Sequence, residues 1–378
     1  MPLIGVSLEP PYDPRSWSGS SKYLFDVLRE QGVVPHARQV RLNALETRWC
    51  QLTSLAWPRE RWRARFNASG TRFSMLSRRA RSMVRRERDV EGVLQIGARL
   101  NCAAPGLPPV FGYHDGNAAL RYRHFDQSQV GPEQRARHLR WEGEVYRSMR
   151  GIFVMSGWLA SSFINDFGIP SSRVHVVGAG INFPRLPDVP VRSFEAPHFL
   201  FVGREFERKG GPGLLEAFAQ VRWALPEARL TIVGPDAPPQ VLPEAPEGVT
   251  FAGFLSKSVP AQAQRLEALF AEATALVLPS VYEPFGISLL EGMAWGLPCI
   301  AVDRCAMPEI VQHGRTGLIA SAGDAFGLAQ AMISLGRDPA MAREMGRFGR
   351  ERVAAEFTWQ RVGERMHEVL RDQYGLCR

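Results

Sequence analysis

Between residues 275 and 293 the chain passes through a strand, a tight loop and a helix, and this stretch constrains the fold more than any other. Ala275-Leu276-Val277-Leu278-Pro279 is an apolar run of the length a buried parallel strand needs. Leu289, Leu290, Met293 and Ala294 then mark the buried stripe of a helix. Pro284 and Gly286 form the turn between them, and Ser288 is placed to cap the helix. Glu283 lies in the loop, and Glu291 lies inside the helix, about one turn on. Helical side chains lean toward their own N-terminus, so Glu291 points back to the region that Glu283 borders. Free N–H groups at the helix start, with the positive end of its dipole, favour an anion there. Two carboxylates around an anion site suit a ligand that carries both hydroxyls and phosphate, such as a nucleotide sugar.

The same alternation runs along the rest of the chain. Residues 3–8 read as a first strand, followed by a Gly/Ser loop through Ser18-Gly19 and a helix with Tyr23, Leu24, Val27 and Leu28 at helical spacing. Residues 110–116, 151–156 and 174–182 repeat the strand-then-loop pattern, with helices beginning near Glu142 and running from Trp158 to Asp166. Gly178-Ala179-Gly180 is half a dinucleotide fingerprint, but Phe183 and Pro184 stand where the last glycine and the helix belong, so no NAD site is expected. Pro184, Pro187, Pro190 and Pro197 place a boundary close to residues 183–197. Beyond it come strands at 198–202, 230–236, 249–255 and 299–302, and a helix carrying Leu214, Leu215 and Phe218. A last helix, capped by Thr358, bears a stripe of Val362, Met366, Val369, Leu370 and Tyr374. The expected fold class is α/β, with two Rossmann-like doubly wound domains of parallel sheet over 1–190 and 191–355 and a terminal helix over 356–378. Asn43 to Arg99 yields only a helical bias and its charge.

Glu283-Pro284-Phe285-Gly286…Glu291, followed by Gly292-Met293-Ala294-Trp295-Gly296-Leu297-Pro298, resembles the E-x7-E signature of retaining glycosyltransferases of family 4 (glycosyl transferases group 1). Gly203-Arg204…Lys209-Gly210 is similar to that family's Gly-Arg…Lys-Gly motif. The resemblance implies the GT-B fold, with the two domains facing a central cleft and the last helix packing back on the N-domain. It implies that Glu283 contacts sugar hydroxyls of the donor, that Glu291 takes the ribose hydroxyls, and that backbone groups of Phe285, Gly286 and Ile287 meet the sugar and phosphates. Arg204 and Lys209 would hold the diphosphate, with Arg208 an adjacent alternative. The loop at Gly19 would face the donor phosphates, although Trp17-Ser18-Gly19 stands where many members carry Gly-Gly. His114 is the candidate catalytic residue of the N-domain, with Asp115 its rival. Loops at Phe254 and Leu255 would border the nucleobase, and Glu309 in Met307-Pro308-Glu309-Ile310 is read as structural. No Asp-x-Asp occurs, so no metal and no other cofactor is expected: the chemistry is metal-independent transfer from a UDP- or GDP-sugar to a glycan, lipid-linked or small-molecule acceptor, as in polysaccharide biosynthesis. A sugar-nucleotide epimerase or phosphorylase, or a non-catalytic binding protein, is the alternative on the same fold.

Charge enters the argument at one place. The net charge is +8, and Arg59, Arg61, Arg63, Arg65, Arg72, Arg78, Arg79, Arg81, Arg85, Arg86 and Arg88 crowd one segment, interleaved with Trp57, Trp62, Phe66, Met75, Leu76 and Met83. Segment 57–88 reads either as a solvated basic helix pair or as peripheral contact with an anionic membrane. Nucleic acid is not expected, because no recognition motif accompanies the arginines. The five cysteines have no metal spacing and read as reduced thiols. With no apolar run of transmembrane length and no signal peptide before the first strand, the expected location is the cytoplasm, with peripheral contact at the inner membrane face.

Overall fold

A computed structural model describes residues 2–125, 131–192, 194–235 and 245–377. The residues separate into two units, 1–178 with 359–378, and 179–358.

In the first unit the strands are β1 (Leu3–Ser7), β2 (His36–Gln39), β3 (Gly92–Ile96), β4 (Val110–His114), β5 (Gly151–Val154) and β6 (Val174–Val176). The helices between them are α1 (Ser20–Glu30), α2 (Ala44–Thr53), α3 (Arg59–Asn67), α4 (Gly70–Val84), α5 (Ala118–His124), α6 (Pro132–Ser148) and α7 (Gly157–Phe167). The sheet runs β2-β1-β3-β4-β5-β6 with every neighbouring pair parallel. β1, β4 and β5 are buried at every position, as strands covered by helices on both faces must be.

The second unit holds β7 (His198–Val202), α8 (Gly211–Ala224), β8 (Arg229–Val233), β9 (Val249–Gly253), α9 (Pro260–Glu272), β10 (Ala275–Leu278), α10 (Ile287–Ala294), β11 (Cys299–Val302), α11 (Met307–Ile310), β12 (Gly317–Ala320), α12 (Ala325–Arg337) and α13 (Pro339–Glu356). Its sheet is also parallel, in the order β12-β11-β10-β7-β8-β9. The helix α14 (Trp359–Tyr374) returns to the first unit, where it packs on α1.

The expected α/β architecture of two doubly wound parallel sheets is what the chain adopts. Within it the structure adds three strands that the apolar pattern did not reveal. β2 reads His-Ala-Arg-Gln because it is an edge strand, half to fully exposed. β3 lies at the end of the arginine-rich segment and carries a buried Gln95, whose side chain reaches the carbonyls of Gly97 and Leu100 and the N–H of Cys102. β12 is the other new edge strand. Residue Asp236, read into the strand after 230, lies outside the described residues. The division between units falls after Gly178, because the proline-rich stretch is stitched to the second unit. Ile181 donates to the Phe357 carbonyl at 3.1 Å, Arg350 to the Pro187 carbonyl at 2.6 Å, and Arg192 to the Ala271 carbonyl at 3.0 Å.

Candidate active site

In a doubly wound sheet, ligands collect beyond the carboxyl ends of the strands where the strand order reverses. In the second unit that point lies between β7 and β10, and the loops leaving these two strands are the ones that carry Arg204, Arg208 and Lys209 on one side and Glu283 on the other. The two loops are tied together by backbone: Val281 donates to the Arg208 carbonyl at 2.9 Å, and the Arg208 guanidinium returns a bond to the Tyr282 carbonyl at 2.6 Å. Gly210, at φ +80°, lies so close under Pro279 that a Cβ would stand 2.7 Å from the Pro279 carbonyl carbon. This contact delivers the Lys209 ammonium to the buried Glu283 carboxylate, to which it donates a hydrogen bond. Arg208 stands 4.0 Å from the same carboxylate and is held by Glu205 at 2.8 Å. Arg208 therefore braces the signature loop, while the exposed Arg204 lies with its guanidinium 4.5 Å from the centre of the Phe254 ring.

The second acid is arranged alike. Glu291 is buried in α10 and accepts from the Lys257 ammonium, which also rests 4.4 Å over the Phe183 ring. Each carboxylate of the signature thus has its own lysine. Phe254 and Leu255 stand in the loop after β9, three and two residues before Lys257, with Phe254 half exposed and Leu255 buried. Phe285 is buried edge-on against Phe357, and Gly286 takes φ +109° as the N-cap of α10. That conformation corrects the expected role of Ser288. Gly286 occupies the cap with no side-chain bond, Ile287 is the first helical residue, and Ser288, one residue further in, buries a hydroxyl with no hydrogen-bond partner among the described residues. Ser280, just before the loop, does the same.

The first unit builds a separate cluster at the ends of β1 and β4. Trp17, Ser18 and Gly19 take φ of 48°, 56° and 96°, three left-handed residues in a row, of which only the glycine adopts that region without strain. Trp17 is held there by its N–H to the Glu9 carboxylate and its indole N–H to Asp115, both at 2.8 Å. Gly19 then caps α1. Asp115 is therefore joined to the Gly19 loop. His114 is not. It is the last residue of β4, its ring packs 5.2 Å from Tyr146 and 5.3 Å from Phe163, and burial pushes its pKa down to about 3. His114 is thus a buried, neutral imidazole enclosed by aromatic rings, and Asp115 is the residue of the pair that reaches the loop cluster.

His114 instead predicts an acid sensitivity of the first unit. A histidine whose folded pKa lies below its unfolded value near 6.5 contributes fully above that value. The contribution is lost as pH falls toward 3, with a slope of about 1.4 kcal/mol per pH unit. Melting temperatures of wild type and His114→Phe between pH 7 and 4 should converge on acidification. Parallel curves would show that the imidazole titrates alike in the folded and unfolded states.

Sequence reasoning missed Lys257 and Trp17. A single lysine after a strand carries no signal of its partner 34 residues away, and a tryptophan in a loop gives no sign of a left-handed backbone.

Residues 196–338 match the family model described as "Glycosyl transferases group 1". Among curated proteins, a glycogen synthase of Mycobacterium tuberculosis is 30% identical over 264 residues, 64% of this chain and 62% of that protein. The chain thus spans less than two thirds of that relative's length. Among solved structures, a sucrose-phosphate synthase from Thermosynechococcus elongatus aligns with a TM-score of 0.74 at 20% identity, over 99% of this chain and 100% of that one. Anabaena HepE, solved in complex with UDP and glucose, aligns with a TM-score of 0.65 at 15% identity, over 98% and 100% of the two chains.

Proposed function

We propose that this chain is a group 1 glycosyltransferase, as the match over residues 196–338 supports, and that it transfers a sugar from a UDP- or GDP-sugar to a glycan, lipid-linked or small-molecule acceptor, with retention at the anomeric carbon and without a divalent ion. The observation that carries the proposal is the pair of buried carboxylates, Glu283 and Glu291, which follow β10 at the reversal in strand order and are each joined to a lysine, Lys209 after β7 and Lys257 after β9. Glu291 with Lys257 would take the ribose, and Glu283 would orient the sugar. Arg204, Lys209 and the first N–H groups of α10, which have no partner inside the helix, would receive the diphosphate. The buried hydroxyls of Ser280 and Ser288 are of the kind a bound polar group satisfies. As the C1–O bond to the diphosphate breaks, its electrons stay on the departing oxygen. The departing phosphate takes the acceptor's hydroxyl proton while the acceptor oxygen bonds C1 on the same face. His114, or Asp115 as its rival, would act near the reacting sugar.

We also propose peripheral contact with an anionic membrane. No helix of the described residues is long and apolar enough to cross one.

Thermal unfolding against UDP, GDP, ADP and TDP and their sugars, with and without EDTA, tests the donor. One nucleotide should raise the melting temperature, because a ligand that binds only the native state stabilises it. The shift should persist in EDTA and vanish in Glu291→Ala. Loss of the shift with EDTA would overturn metal independence. Release of free nucleoside diphosphate only when an acceptor is added would separate transfer from epimerisation, and no shift with any nucleotide would favour a non-catalytic role.

A further inference from the structure

Leu45, Trp49, Leu52, Leu55 and Trp57 are between 56% and 87% exposed, the densest run of large exposed apolar side chains among the described residues. Leu45, Trp49 and Leu52 follow one another at i, i+4 and i+7 on α2, which places them on a single helix face. A helix on a globular protein ordinarily turns such a face inward; α2 turns it outward, and its other side is fixed. Cys50 is buried with its Sγ 3.8 Å from the Met75 sulfur on α4. Glu46 pairs with Arg79 of α4 at 2.7 Å, and the Trp62 indole of α3 donates to the Gln51 carbonyl at 3.0 Å. The outward stripe is therefore set by the packing of α2 on α3 and α4.

The charge around it has one sign. Residues 41–88 hold thirteen arginines and three acids, a net +10 in a chain whose whole charge is +8. Arg48 is exposed on α2 itself, and Arg59, Arg61, Arg63 and Arg65 are exposed on α3. An apolar stripe with tryptophan, rimmed by exposed arginine, has the chemistry of a helix lying in the interface of an anionic bilayer. We propose that α2 and the loop to Trp57 form a membrane-docking surface, in which Leu45, Trp49, Leu52, Leu55 and Trp57 enter the headgroup region of an anionic leaflet and the arginines of α3 and α4 hold the phosphates. The basic helices alone, residues 57–88, supply attraction; the insertion element lies before them. The inference rests on the membrane contact proposed above and is independent of the sugar-transfer reading.

Co-sedimentation of the full chain with phosphatidylglycerol/phosphatidylcholine vesicles tests it without any turnover assay. Wild type should bind these vesicles at low salt, bind pure phosphatidylcholine vesicles at least tenfold less, and release as salt rises. Trp49→Glu with Leu52→Glu should lower the partition at least tenfold at an unchanged melting temperature, since both side chains face solvent. Arg61→Ser, Arg63→Ser and Arg65→Ser together should weaken binding and flatten its salt dependence. Equal binding by the Trp49→Glu, Leu52→Glu protein would overturn insertion, and absence of wild-type sedimentation at low salt would overturn the surface. A concentration-dependent dimer abolished by the same two changes, with no vesicle binding, would assign the stripe to a second copy instead.

Discussion

Replacing Lys209 by alanine should lower turnover by about two orders of magnitude or more, the effect of removing one preorganised group that meets charge developing in the transition state. Lys209 is mostly buried and its ammonium already touches the Glu283 carboxylate, so its position owes nothing to flexible search. The same substitution removes one partner of a buried pair, which costs about 3–5 kcal/mol when the remaining charge is left uncompensated. Arg208, 4.0 Å from Glu283, keeps the carboxylate from full isolation, and the loss of stability should fall below that range. Two effects are thus superimposed, and a double variant separates them. Lys209→Met combined with Glu283→Gln removes both charges. If the pair serves the fold alone, the double variant recovers stability and turnover together. If it serves the chemistry, stability recovers and turnover does not. Arg204→Ala gives an independent check, since Arg204 is exposed over Phe254 and its loss should leave the melting temperature alone while slowing the reaction by a similar factor. Wild-type turnover in both single variants would refute the assignment of these cations to the diphosphate.

The parts of this site that could be read from sequence are those in which neighbouring residues carry the chemistry at the end of a strand. Glu283, Phe285, Gly286 and Glu291 span a single loop and helix start, and Arg204 to Gly210 span another, so strand length, turn residues and charge place each group without knowledge of its partner. The lysine that holds Glu291 comes from a different loop, and a contact made only by folding leaves no trace in spacing. The burial of His114 was hidden for a related reason. A strand end in a parallel sheet is where functional groups gather, but period two gives the last strand residue to one face of the sheet. Here that face is covered by Tyr146 and Phe163. Asp115, one residue on, has left the strand and reaches Trp17. The exposed stripe of α2 was hidden too, because the spacing of Leu45, Trp49 and Leu52 is the spacing of a core-facing helix. Only the position of Cys50 and Glu46 against α4 shows which side faces out. Ser288 illustrates a statistical rule overruled by backbone: a glycine at φ +109° already occupies the cap position.

Gly210→Ala should be among the most damaging single methyl groups that can be added near the site. Gly210 sits at φ +80°, in the left-handed region, where a Cβ alone costs of order 1 kcal/mol. Steric overlap costs more. The added carbon would fall inside the van der Waals surface of the Pro279 carbonyl oxygen and stand 2.7 Å from its carbon, and both belong to backbone leaving the central strand β10. Neither side can yield by a rotamer change, so the loops after β7 and β10 must part. The bonds from Val281 to Arg208 and from Arg208 to Tyr282 span the same gap, as does the Lys209–Glu283 pair, and all would lengthen together. The expected loss is about 3 kcal/mol or more, in the range of strained and overpacked substitutions. It should appear as a lower midpoint in urea unfolding with an unchanged slope, and any folded fraction should have lost turnover. Gly213→Ala is the matched control, because a Cβ there meets nothing within 4 Å and lies in the first turn of α8, where alanine is favoured over glycine. A wild-type midpoint for Gly210→Ala would mean that the two loops do not approach as closely as the Lys209–Glu283 contact requires, and the diphosphate site built on that approach would fall with it.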